Sequence, residues 1–237
     1  MKAMSTDLNC YMLACSRPWG LEAFAGRRTR LPGQWLTVTS KDDLSPKLLE
    51  AFKPRYIFFP HWSWLVPDNI IQQFECVCFH MTDVPFGRGG TPLQNLISRG
   101  FENTKLTALR MTSELDAGPV YDRRSLELYG AAQDIFRRAM DLSLDLMEWI
   151  VETEPDPKPQ SGEALVFPRR RPEQSALPET GTIEALYDHI RMLDAQGYPH
   201  AFLNHGGWHF SFTGAELGRD HLLAQVRISK KRHKGTK

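Results

Sequence analysis

The sequence predicts an α/β fold built on a mostly parallel, doubly wound sheet, and three observations carry that expectation. Strand and helix signals alternate through the first half in the order βαβαβαβ. The strands are apolar runs without polar alternation, as a parallel sheet covered on both faces requires. The 237 residues, 41% hydrophobic, 11% aromatic and 24% charged, have a globular composition and the length of one large domain or a domain with an appendage.

Residues 8–14 read as the first strand, ended by Ser16-Arg17-Pro18-Trp19-Gly20, and 20–28 as a short helix. A second strand at 35–39 is followed by a helix over 42–52 with Ser40 as its N-cap, and 55–59 is a third strand. Pro67 opens a helix over 67–74 and 75–81 is the fourth strand. A helix at 91–98 started by Pro92, extended runs at 105–111 and 119–128, and a long helix over 131–152 complete residues 1–153, the expected core. That long helix repeats Ile135, Ala139, Leu142, Leu146, Trp149 and Ile150 at helical spacing. The Pro-rich stretch 154–163 reads as a linker and 164–229 as a small α+β unit, with a strand at 164–167, a helix over 182–193 and strands at 208–212 and 222–228. His205-Gly206-Gly207-Trp208-His209 reads as a hairpin turn, and 230–237 as a basic tail.

Charge and cysteine usage narrow the class. Five of the 29 basic residues fall in 230–237, which leaves 24 basic against 28 acidic residues in 1–229 and argues against a nucleic-acid partner for the body. No apolar run spans a bilayer, and Asp7 and Asn9 break up any signal-peptide stretch, so a cytoplasmic protein with no membrane partner is expected. Cys10, Cys15, Cys76 and Cys78 lie in strand-like runs as reduced thiols, without the spacing of a zinc knuckle, so no metal is expected. No G-x-G-x-x-G follows the first strand, which disfavours a dinucleotide.

Ligands of a doubly wound sheet bind beyond the carboxyl ends of its strands. The densest chemistry there is Phe79-His80-Met81-Thr82-Asp83-Val84-Pro85-Phe86-Gly87-Arg88-Gly89-Gly90, a histidine at a strand end followed by a Pro- and Gly-rich loop. Asp116, 36 positions later, sits in Glu114-Leu115-Asp116-Ala117-Gly118-Pro119. The bland alternatives are a strand-capping histidine and a turn aspartate. Brought together, the two make an acid–base pair.

These two segments resemble the folate-dependent formyltransferases. Residues 78–89 are similar to that family's Asn-x-His-x-Ser-x-Leu-Pro-x-x-x-Gly, and Leu115-Asp116-Ala117-Gly118-Pro119-Val120 to its Leu-Asp-(Gly/Thr)-Gly-Pro-Val, at matched spacing. The wording of 79–83 with 86–95 and of Arg191-Met192-Leu193-Asp194-Ala195-Gln196-Gly197-Tyr198-Pro199 is most similar to the nucleotide-sugar N-formyltransferases of the pseudaminic-acid or other 4-amino-4,6-dideoxysugar type. The resemblance implies a Rossmann-like formyltransferase core, catalytic His80 and Asp116, N10-formyltetrahydrofolate as formyl donor, a nucleotide-linked aminosugar as acceptor and a homodimer. Trp62, Ser63, Trp64 and Leu65, together with Asp116, would meet the folate, although the tryptophans read equally well as anchors of a loop over the core. Arg88, Gly89, Gly90, Thr91, Gln94 and Asn95 would line the acceptor side, with Ser16, Arg17 and Thr82 as weaker candidates. Cys78 stands where the family has Asn, so Asn95, Thr82 or Gln94 is expected to replace the missing donor, Cys78 itself being a packed strand residue. The alternatives are a methionyl-tRNA acceptor and a non-catalytic folate- or nucleotide-sugar-binding homologue. Arg169-Arg170-Arg171 reads as a solvated loop.

Overall fold

The structure, a computed structural model, describes residues 9–231. The expected strand position Leu8, the N-terminal charges before Asn9 and tail residues 232–237 lie outside the described residues. The chain divides into two compact units, each discontinuous in sequence. The first comprises the chain up to Gly89, Thr104–Leu126 and Arg137–Val166; the second comprises Gly90–Asn103, Glu127–Phe136 and the chain from Phe167. The division thus does not fall at the 154–163 stretch where the sequence places a linker.

The first unit is organised by a six-stranded sheet. Its strands are β1 (Cys10–Ala14), β2 (Gln34–Val38), β3 (Tyr56–Phe59), β4 (Cys76–His80), β6 (Asn103–Arg110) and β7 (Val120–Glu127), in the order β2-β1-β3-β4-β6-β7. The first four are mutually parallel and β6 pairs antiparallel with β4, setting His80 opposite Thr107 and Cys78 opposite Leu109. The missing alternation has its explanation in burial on both faces. Met12, Ala14, Ile57 and Phe59 point into one cluster with Val38, Leu49 and Ile70. Tyr11 and Phe58 point the other way, where Trp35 lies 5.0 Å from Tyr11 and 5.8 Å from Phe58 between ring centres.

Helices α1 (Pro18–Arg27), α2 (Pro46–Phe52) and α3 (Asp68–Gln73) connect these strands. The second corrects the sequence reading. Asp43 Oδ2 accepts from the Ser40 amide (3.1 Å) and hydroxyl (2.9 Å), closing a turn over 40–43. The helix begins only at Pro46, with Ser45 Oγ accepting from the Leu48 amide. A proline is tolerated in a first turn but would break a helix started at Asp42. Helix α5 (Ala132–Thr153) buries Ile135, Ala139, Leu146 and Ile150 as its periodicity predicts, with Leu142 and Trp149 half-buried.

Two strands were absent from the sequence reading. β5 (Phe86–Gly89), expected as loop, pairs with β8 (Leu165–Phe167). β9 (Ala201–His205) joins β10 (Trp208–Leu217) and β11 (Leu222–Lys230) in the antiparallel sheet of the second unit, in the order β11-β10-β9. That unit also holds α4 (Pro92–Ile97) and α6 (Ile183–Arg191), the latter N-capped by Thr182 Oγ1. No helix among the described residues is long and apolar enough to cross a membrane.

Candidate active site

Strand β4 ends at His80, and its parallel partner and antiparallel neighbour hold it in the middle of the sheet, so the imidazole stands at the strand's carboxyl end with 9% of its side chain exposed. Its Nε2 lies 2.8 Å from the Gly87 carbonyl oxygen. A carbonyl can only accept, so Nε2 carries hydrogen and Nδ1 is the nitrogen free to gain or lose a proton. Nδ1 faces Asp116 Oδ2 at 3.5 Å, and the carboxylate is 11% exposed. The same Oδ2 accepts the Gly89 amide at 2.9 Å. One short strand, β5, therefore holds both partners: Gly87 fixes the imidazole and Gly89 fixes the carboxylate. Gly89 has φ 97°, a conformation open to glycine. Asp116 has φ 54°, in the left-handed region that Asp tolerates better than most L-residues.

The Asp116 turn is held by a side chain the sequence reading missed. Gln160 Nε2 donates to the carbonyls of Asp116 and Gly118, both at 2.8 Å, while its Oε1 accepts from Arg88 Nε (3.1 Å) and Nη2 (2.8 Å). Gln160 lies within 154–163, which is pinned rather than loose: Val120 and Lys158 exchange reciprocal backbone hydrogen bonds at 2.7 and 2.8 Å. No local pattern marks Gln160, because its contacts lie more than 40 residues away in sequence.

The residues expected on the acceptor side each make hydrogen bonds or close contacts within the chain. Arg88, with 16% of its side chain exposed, spends its donors on Gln160 and on Glu114 at 3.2 Å. The Gly89 amide is used on Asp116. In the second unit, a Cβ on Gly90 would stand 2.6 Å from Arg169 Cα, so this glycine serves a close backbone approach. Thr91 Oγ1 accepts the Arg170 amide, and Gln94 Nε2 donates to the Met192 carbonyl. Asn95 Nδ2 lies within 3.1 Å of the Gly90, Thr91 and Pro168 carbonyls, and its Oδ1 accepts from Arg99. Thr82, wholly buried, donates to the Gly87 carbonyl. Each of the three residues expected to stand in for the family Asn makes a side-chain hydrogen bond within the chain. Cys78 packs against Val84, Leu109 and Val120, and burial, with the Asp116 carboxylate and Cys76, pushes its thiol up. Burial likewise raises Cys76 to about 12.

Ser16 Oγ donates to the His61 carbonyl (3.0 Å) and meets Ser63 Oγ (2.9 Å), stapling the loop after β1 to the loop after β3. Arg17 occupies the N-cap position of α1 without a side-chain cap. In the β3 loop, Trp62 packs edge-on to Phe59 and Trp64, with centroids 5.8 and 4.9 Å away. Its buried Nε1 has no partner among the described residues, while Trp64 is 39% and Leu65 85% exposed. An unanswered indole donor beside exposed apolar surface suits a flat heteroaromatic ligand. Two surface clefts of this unit, about 490 and 480 Å³, are lined by other residues, Trp19, Arg27 and Arg137 around one and Tyr11, Arg30 and Glu152 around the second.

Residues 172–229 match the family model described as the C-terminal domain of methionyl-tRNA formyltransferase. A solved structure described as methionyl-tRNA formyltransferase from Clostridium thermocellum is 39% identical, covers 94% of this chain and 100% of that chain, and superposes with a TM-score of 0.92. Methionyl-tRNA formyltransferase of Bacillus thuringiensis (strain Al Hakam) is 26% identical over 170 residues, 68% of this chain and 54% of the relative. The chain spans about half the length of the curated relatives it matches. A 4-N formyltransferase from Francisella tularensis, 15% identical over 83% of this chain and 92% of its own, shares the fold with a TM-score of 0.64.

Proposed function

Because the chain belongs to the formyltransferase family that includes the methionyl-tRNA formyltransferases, we propose that it transfers a formyl group from N10-formyltetrahydrofolate to a primary amine. The observation that carries this reading is the near-buried His80–Asp116 pair, fixed from both sides by β5. The donor supplies a formyl carbon on a nitrogen that must leave protonated, and the attacking amine must lose a proton. In this reading Asp116 Oδ2 takes the amine's proton, His80 Nδ1 gives one to the departing nitrogen, and the proton then passes from Asp116 to His80 across their 3.5 Å separation, so the pair ends the cycle with the protons it began with. The Nε2–H, tied to Gly87, keeps the ring from rotating during that exchange. Trp62, Trp64 and Leu65 would hold the donor, with Ser63 fastened by Ser16 to shape the loop. The four free thiols fit a reducing, cytoplasmic compartment.

Two acceptor classes draw on different observations. The wording of residues 79–95 and 191–199 supports a nucleotide-linked aminosugar. Methionyl-tRNA is favoured by the match over 172–229 and by charge, since residues 200–237 hold seven basic side chains against two acidic ones. On β10 and β11, half-exposed Trp208 lies opposite Lys230, an aromatic and a cation side by side, as a single-stranded nucleic-acid end would use them. A homodimer through the apolar residues of this sheet belongs to the same proposal. The test is a mass-spectrometric assay of the chain with the donor and a panel of nucleotide-linked aminosugars and methionyl-tRNA. Formylated amine in one class identifies the acceptor. Donor binding without product from either class would overturn the enzymatic reading in favour of a binding protein.

A further inference from the structure

An amide side chain offers two hydrogens and two acceptor sites, and Gln160 uses all four on the loops around His80 and Asp116. Its orientation is unambiguous: turned over, its NH₂ would face the Arg88 guanidinium and its oxygen two carbonyls. The carbonyls it holds belong to Asp116 and Gly118, on a turn in which Asp116 has φ 54°. Such a conformation costs an L-residue free energy and persists only where the surroundings enforce it. The guanidinium it holds belongs to Arg88, between Gly87, which fixes His80, and Gly89, which fixes Asp116. Its own backbone is anchored two residues earlier by the reciprocal Lys158–Val120 bonds.

We infer that Gln160 is a positioning residue for formyl transfer, clamping the Asp116 turn to β5 so that the carboxylate stays at its distance from His80 Nδ1. The activity side of this inference rests on the formyl-transfer reading above. Gln160 touches no reacting atom; its effect passes through Asp116.

Gln160→Glu is the discriminating variant. It keeps an acceptor for Arg88 but replaces both donors with lone pairs aimed at two carbonyls. Displacing a reacting group by about 1 Å can cost roughly 100-fold in rate, so kcat is expected to fall at least about tenfold while KM for the donor stays within about twofold. The ¹⁵N resonance of His80 Nδ1 is expected to shift in the same variant, because the carboxylate opposite it has moved. Gln160→Ala, which removes the contacts without adding repulsion, should show the same signs to a smaller degree and serves if the Glu variant does not fold. A purely structural role would lower the thermal midpoint and leave kcat of the folded protein and the His80 resonance unchanged; that result overturns the inference. If the wild-type chain makes no formylated product, the formyl-transfer reading falls, and the His80 resonance alone decides the role of Gln160.

Discussion

Around His80 in the first unit, polar groups are answered within the chain: the Gly87 carbonyl takes the imidazole Nε2–H, the Gly89 amide takes the Asp116 carboxylate, and Gln160 joins Arg88 to the Asp116 turn. In the second unit, β10 and β11 leave apolar side chains open, with Trp208 at 50%, Val226 at 46% and Ile228 at 59% exposure. The first region is over-determined, as a site that must hold reacting groups within a fraction of an ångström has to be. The second is under-determined, with its sheet face available to solvent or to a partner. Substitutions should therefore be felt sharply in one region and weakly in the other.

The largest effect on folding is expected at Gly118. A Cβ there would stand 1.8 Å from the Arg110 carbonyl oxygen, a backbone atom that cannot swing aside. Gly118→Ala should cost about 2 to 3 kcal/mol in denaturant unfolding, the upper part of the range for forced overpacking, and should displace the Asp116 turn with it. A loss below about 0.5 kcal/mol would show the turn to be compliant and the comparison overstated.

A smaller effect follows from His189 on α6. Burial, helped by the charge of Arg170, pushes this imidazole below its ordinary 6.5, and its Nε2 lies 3.3 Å from the Ser175 carbonyl. Because the unfolded chain takes up the proton near 6.5 and the folded chain does not, the stabilisation is complete above that pH and drains away as pH falls through the lowered folded value. Thermal midpoints at about pH 7.5 and about pH 5.5 should differ more for the wild type than for His189→Gln. Equal differences would remove His189 from the account.

The smallest effect is expected on the open sheet. Ile228→Thr keeps a β-branched side chain on an exposed strand and should change stability by less than about 0.5 kcal/mol. A larger loss in the isolated chain would mean that this face is covered in solution, which a concentration-dependent midpoint would reveal.

The sequence made the central sheet legible because doubly buried parallel strands write themselves as uninterrupted apolar runs, and Tyr56–Phe59 is the plainest of them. It also carried His80 and Asp116, since a histidine at a strand end and an aspartate in a tight turn leave local marks. Long-range commitments were not legible. The start of α2 at Pro46 depends on Asp43 folding back onto Ser40, β5 exists only because β8 pairs with it, and Gln160 gains its place through contacts with Arg88 and Asp116. Arg88, Gln94 and Asn95 read as ligand-facing because polar residues in a Gly-rich segment look available, and their hydrogen bonds to Gln160, Met192 and Pro168 become visible only in the side-chain geometry.

Formyl transfer by this chain, as proposed, depends on His80 and Asp116 acting as one proton-transferring pair. That dependence is tested most directly by the turnover of purified, folded His80→Asn with N10-formyltetrahydrofolate and whichever amine the wild type formylates. A fall of about 100-fold or more is expected. Turnover within about twofold of the wild type would contradict it.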